Sequence, residues 1–118
     1  MIKETANELM LCFGENIFLP VVTQDYQSKE VLLVAFTNKE AFERTIKTGY
    51  ATYWSRSRNK LWTKGETSGE KLRIVGIRVN CEQNSLLYLV EMEGNSACHT
   101  KNRSCYYRRL TKKGKLEF

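Results

Sequence analysis

The chain has 118 residues, enough for one domain with a real core, and 42% of them are hydrophobic with a single proline, which sets it apart from a disordered polypeptide. Nineteen Lys and Arg against thirteen Asp and Glu give a net charge of +6, which favours an anionic partner without choosing between a phosphorylated small molecule and nucleic acid. The longest apolar run, Val31 to Phe36, is too short to cross a membrane, and Met1-Ile2-Lys3-Glu4 lacks the apolar core of a signal peptide. A cytoplasmic, reducing location is the resulting expectation, and disulfides are not expected there.

In chain order, residues 9 to 22 alternate poorly around Gly14 and Pro20 and read as a short hairpin or irregular lead-in, with Cys12 as a core residue. Val31 to Phe36 has the composition of a buried strand. Thr37 followed by Glu40 matches a capping box, so a helix is expected to about Lys47, with Phe42 and Ile46 inward and Gly49 as its stop. Tyr50 to Ser57 reads as a strand and Asn59 to Glu70 as a polar loop punctuated by glycine. Lys71 to Cys81 alternates well, with a bulge at Gly76, and Ser85 to Glu93 is a further strand reached by a turn at Gln83-Asn84. Cys105 to Leu110 reads as a last short strand, and the basic run from Arg108 to Lys115 as a solvated terminus. One helix among five or six strands predicts a single α+β domain over residues 1–118, mainly antiparallel, twisted or barrel-like.

Three of the four cysteines and the only histidine fall between Cys81 and Cys105. A free cysteine is often a small buried hydrophobe, but Gly94 to Arg109 is a polar segment poorly suited to hiding apolar sulfur. Cys81, Cys98 and Cys105 supply the three protein ligands of a catalytic zinc site, and adjacent His99 is either a fourth ligand or a proton carrier. The Ser85–Glu93 strand spans on the order of 30 Å at about 3.3 Å per residue. Gly94 to Cys98 recovers at most about 18 Å at about 3.6 Å per residue. A straight strand therefore keeps Cys81 away from Cys98 of its own chain, and a shared metal predicts a homodimer.

Three stretches resemble phosphoribosyl-AMP cyclohydrolase: Trp54-Ser55-Arg56-Ser57-Arg58, Leu61-Trp62-Thr63-Lys64-Gly65-Glu66-Thr67-Ser68-Gly69, and Ala97-Cys98-His99-Thr100 through Arg108. Pro20 to Tyr26 also fits, and the resemblance runs over residues 9 to 109. It implies an enzyme of histidine biosynthesis that hydrolyses the N1–C6 bond of the adenine ring in phosphoribosyl-AMP. It further implies an intertwined homodimer with zinc held by Cys81 of one subunit and Cys98 and Cys105 of the other, and His99 as acid/base group. Ser55, Arg56, Arg58, Lys60, Trp62, Lys64, Gly65, Glu66, Thr67 and Ser68 would bind the phosphorylated nucleotide, with the Gly69 backbone as a further donor.

The family's magnesium pattern, Asp-Cys-Asp-x-Asp, reads Asn80-Cys81-Glu82-Gln83-Asn84 here. Magnesium is usually held by one or two carboxylates, so Asn80, Glu82 and Asn84 predict weak or absent magnesium binding and a divergent member of the family. The alternatives are a paralogue with a changed nucleotide substrate and a non-catalytic zinc-binding dimer. A nucleic-acid module stacking bases on Tyr53, Trp54 and Trp62 is a third reading that no binding motif supports; neither a nucleic-acid nor a membrane partner is expected.

Overall fold

The computed structural model describes residues 3–13 and 17–118. Its centre is a four-stranded sheet in the order β2-β1-β6-β5, formed by β1 (Leu19–Asp25), β2 (Val31–Thr37), β5 (Leu72–Val79) and β6 (Leu86–Met92). The β1–β2 and β5–β6 pairs are antiparallel, while β1 and β6 run parallel. Helix α1 (Lys39–Thr48) follows β2, and β3 (Thr52–Ser55) and β4 (Lys60–Thr63) make a separate antiparallel hairpin. A last hairpin joins β7 (Arg109–Leu110) to β8 (Leu116–Glu117). The α+β, mainly antiparallel expectation holds, but the main sheet is open, with β2 and β5 as edges, and does not close into a barrel. Among the described residues no helix is long and apolar enough to cross a membrane.

The core lies on one face of the main sheet. Val21, Leu86, Tyr88, Val90 and Leu72 are buried there against Tyr53 and Ala51 of the β3 region. β1 escapes sequence reading because its inward positions include Thr23 and Asp25, polar residues where alternation would call for apolar ones. The structure shows why Thr23 belongs inside: its hydroxyl and the buried Tyr53 hydroxyl share a 2.7 Å hydrogen bond, so neither polar group is orphaned. The lead-in also departs from expectation in that Cys12 is exposed, not core; Gly14 lies outside the described residues.

Helix α1 begins one residue later than its capping pattern suggests. Thr37 is the buried last residue of β2, and Asn38 is the cap, its Oδ1 accepting the Ala41 N–H at 2.9 Å. The inner face is Ala41 and Thr45, with Phe42 half-buried, whereas Ile46 is 58% exposed. The reason is polar: the Thr45 hydroxyl donates to the Ala41 and Thr52 carbonyls and accepts the Thr52 N–H, fastening the helix to β3. Gly49 ends the helix in the left-handed region at φ 79°, as expected, and its carbonyl accepts Ile74 N–H, so the helix end is tied to β5.

The expected polar loop from Asn59 to Glu70 contains β4. Tyr53 pairs with Trp62 and Trp54 with Leu61, and these cross-strand aromatic contacts offset the polar flanks of a four-residue strand. The bulge expected near Gly76 is present, with the register shifting between Ile74 and Gly76. The strand expected at Cys105–Leu110 is confined to Arg109–Leu110, because Cys105 and Ser104 bond the β2 edge instead. The basic tail is exposed, as a solvated terminus should be, and carries the β7–β8 hairpin.

Candidate active site

The β3–β4 hairpin, the loop that follows it and the 94–105 loop enclose two adjoining clefts of about 520 and 510 Å³. Arg58, Lys60, Trp62, Lys64 and His99 line both, and therefore form the wall between them. The first cleft adds Ser55 and Cys105, with Leu33, Val34 and Ala35 of β2 as its apolar floor. The second adds Gly65, Glu66, Thr67, Ser68, Cys98 and Lys101. Trp62 both packs and faces the clefts: its ring lies 4.9 Å from Tyr53 at a 36° tilt while it lines both spaces.

The 94–105 loop is built from its own backbone. Ala97 N–H donates to Arg103 O, Cys98 N–H to Asn102 O, and Lys101 N–H to Cys98 O, closing a tight turn around His99. Arg103 secures the turn from outside, its Nε donating to Glu30 at 2.6 Å and its guanidinium 3.5 Å from the Asp25 carboxylate. Cys105 hangs from the sheet edge by donating its N–H to Leu32 O at 2.7 Å.

The Cys98 and Cys105 thiols act on each other's ionisation, and Lys64 lends positive charge to both. The Thr100 hydroxyl donates to Cys98 Sγ at 3.0 Å, and this bond leads the effects that hold the Cys98 thiol below its ordinary pKa. Burial pushes the Cys105 thiol up to about 11, with the Cys98 contact adding to the rise. Cys105 is exposed as a whole residue and Cys98 only 6% exposed, the reverse of their pKa ordering. Ionisation follows the protein packed around each sulfur and its hydrogen bonds, and these govern here. Cys98 also corrects the expectation that a polar loop cannot bury a sulfur.

Not every sequence-selected residue arrives. Arg56 lines neither cleft; its guanidinium carbon lies 3.7 Å over the Phe36 ring. Cys81 is exposed at the β5–β6 turn, separated from the thiol pair by all seven residues of β6, about 20 Å of strand. Among the described residues no three His, Cys, Asp or Glu side chains of one chain form a group that could hold a metal ion.

Around Cys81 the turn satisfies itself with amides. Asn80 Oδ1 accepts the Asn84 and Ser85 N–H groups, and Asn80 Nδ2 donates to Asn84 Oδ1 at 2.6 Å. The buried Gln83 bonds Met10 N–H and the Lys3 and Glu8 carbonyls, strapping the N-terminal segment to the turn. With Asn80 oxygen already used twice and Glu82 the only carboxylate in Asn80–Asn84, this donor set does not fit magnesium.

Sequence reasoning missed Glu70 and Arg103, which fasten the site loops, and Lys101, which lines the second cleft. Their one sequence signal is position, beside Ser68 and Cys98, and only contacts reveal the role.

A family model described as phosphoribosyl-AMP cyclohydrolase matches residues 33–107. A phosphoribosyl-AMP cyclohydrolase of Archaeoglobus fulgidus is 60% identical over 100 residues, covering 85% of this chain and 92% of that protein. Another, of Cereibacter sphaeroides, is 50% identical over 100 residues, covering 85% of this chain and 83% of that protein. A histidine biosynthesis bifunctional protein of Aquifex aeolicus is 48% identical over 100 residues, covering 85% of this chain but 49% of that longer protein. At such identities the expectation of a divergent member is not borne out.

Proposed function

This chain belongs to the phosphoribosyl-AMP cyclohydrolase family, and on that premise we propose that it hydrolyses the N1–C6 bond of the adenine ring in 1-(5-phosphoribosyl)-AMP, within histidine biosynthesis. The observation that carries the reading is the wall of Arg58, Lys60, Lys64 and Trp62 shared with His99 by two adjoining clefts. A substrate with two phosphates and a planar base needs cations, an aromatic surface and a proton carrier in one place, and this wall supplies all three.

Arg58 offers a planar fork to phosphate oxygens, while Lys60 and Lys64 act as point charges. Thr67, Ser68 and the Gly65 backbone extend donors along the second cleft, and Ser55 along the first. The free face of Trp62 orients the base. In the reaction a C6–O bond forms from water and the C6–N1 bond breaks. His99 accepts the water proton and returns it to departing N1.

The thiol pair fits a soft divalent ion such as zinc in kind but is one ligand short within a single chain. Cys81 of a second copy completes the set, which makes the active unit a homodimer. When bound, zinc supplies Lewis-acid activation of water near neutral pH. No step runs through magnesium. The sheet face opposite the core supports association: Val22, Val34 and Leu87 are register neighbours there, Val34 is 46% exposed, and Val34 also lines the first cleft.

The test is turnover of phosphoribosyl-AMP by zinc-loaded protein, followed by absorbance. Hydrolysis at the adenine ring is expected. Zinc-bound dimer with no turnover would replace this reading with that of a non-catalytic dimer or a paralogue acting on another nucleotide.

A further inference from the structure

Glu70 stands between the two loops that make the second cleft. Its Oε2 accepts hydrogen bonds from Asn95 N–H at 3.2 Å, Ser96 N–H at 3.1 Å and Ser96 Oγ at 2.9 Å. Its other oxygen lies 3.5 Å from Lys101 Nζ, but the lysine side chain is 76% exposed, so that pair adds little and the three hydrogen bonds do the holding. Ser96 is buried, two residues before Cys98 and three before His99.

Two glycines make room for Glu70, Gly94 for its side chain and Gly65 for its backbone. A Cβ at Gly94 would stand 2.4 Å from Glu70 Cγ, and one at Gly65 would stand 2.1 Å from the Glu70 carbonyl oxygen, at a backbone φ of 78°. Both loops thus approach Glu70 more closely than any other residue type allows. One loop carries Lys64 to Ser68 and the other carries Cys98 and His99. Arg103 holds the far side of the second loop against Glu30 and Asp25, leaving Glu70 to fix the near side.

We propose that Glu70 is a positioning residue: it locks the loop bearing Cys98 and His99 against the cationic loop, setting the proton carrier relative to the bound phosphates. The catalytic half of this inference rests on the function proposed above; the structural half does not. Glu70→Ala removes all three acceptor contacts, whereas Glu70→Gln keeps an amide oxygen that accepts the same backbone N–H groups.

In metal-free protein, hydrogen exchange at residues 95–103 should speed up in Glu70→Ala and return towards wild type in Glu70→Gln. In zinc-loaded protein, Glu70→Ala should lower kcat about tenfold or more with KM changed less than about threefold, and Glu70→Gln should recover most of the loss. Should Glu70→Ala fail to fold, Ser96→Ala removes one of the three bonds and should shift exchange and kcat the same way by less. Unchanged exchange in folded Glu70→Ala, or faster exchange with unchanged kcat, would overturn the proposal. A wild-type protein without turnover would fail the functional reading instead, and exchange alone would then decide the Glu70 lock.

Discussion

The Cys105 N–H donates to the Leu32 carbonyl at 2.7 Å, so one thiol of the candidate site is carried by the edge of the main sheet. Leu32 is fully buried, which gives Cys105 a rigid mount next to the floor of the first cleft. Ser104 reinforces it, donating its hydroxyl to Val31 O at 2.7 Å and accepting Tyr106 N–H at 2.9 Å. Ser104→Ala should destabilise the fold by about 1–2 kcal/mol, since two partly buried hydrogen bonds are lost and the Val31 carbonyl loses its hydroxyl partner. Denaturant midpoints of the two proteins measure it.

Arg58 and Arg56 should separate functionally although they stand two residues apart. Arg58 lines both clefts, and Arg58→Ala should raise KM about tenfold or more through loss of a charge-assisted phosphate contact. Arg56 lies on Phe36, and Arg56→Ala should leave KM within about twofold while removing a surface cation–π contact of about 0.5–1 kcal/mol. Steady-state kinetics on both variants would show the pattern, and equal KM effects would contradict the placement of Arg56.

How far the sequence could be read follows from what kind of signal each residue carries. Helix α1 and the β5 bulge were legible because periodicity and a glycine at the right place mark them. β1 was not, because Thr23 and Asp25 sit inside for polar reasons that depend on Tyr53, Ser28 and Arg103, all distant or loop residues. In the site, residue types that perform chemistry could be picked out in one dimension: Lys64, Cys98, His99 and Cys105 line the two adjoining clefts. Glu70 and Arg103 could not, since each joins segments far apart in sequence. Arg56 lies over Phe36 and lines neither cleft, a placement that sequence cannot show.

Magnesium should have little effect on turnover. The Asn80–Asn84 turn is closed by its own amides and offers one carboxylate. Titrating magnesium into the zinc-loaded enzyme should change the rate less than about twofold, in keeping with the weak affinity of so few charged oxygens. Restoring carboxylates with Asn80→Asp and Asn84→Asp should raise magnesium affinity. A strict magnesium requirement in the unaltered chain would refute this.

Asp25 makes part of the stability acid-sensitive. Burial pushes its carboxyl up, but hydrogen bonds from Ser28 and the charge of Arg103 outweigh burial and hold it below the usual value. A carboxyl lowered on folding adds stability that is fully present above its unfolded value near about 3.9 and is lost as pH falls through the folded value. The contribution is about 1 kcal/mol, because Arg103 is half exposed. Asp25→Asn should flatten the acid limb of a stability–pH curve by that amount, and identical curves would exclude the contribution.

The most direct test of a site shared between two chains is subunit complementation. Cys81→Ser and Cys98→Ser proteins should each be inactive alone. Mixed after dissociation and reassociation, half of the dimers would be hybrids with one of two sites intact, so about a quarter of wild-type turnover should return. Turnover by either variant alone, or no recovery once hybrid dimers are verified by mass, would contradict a site built from both chains.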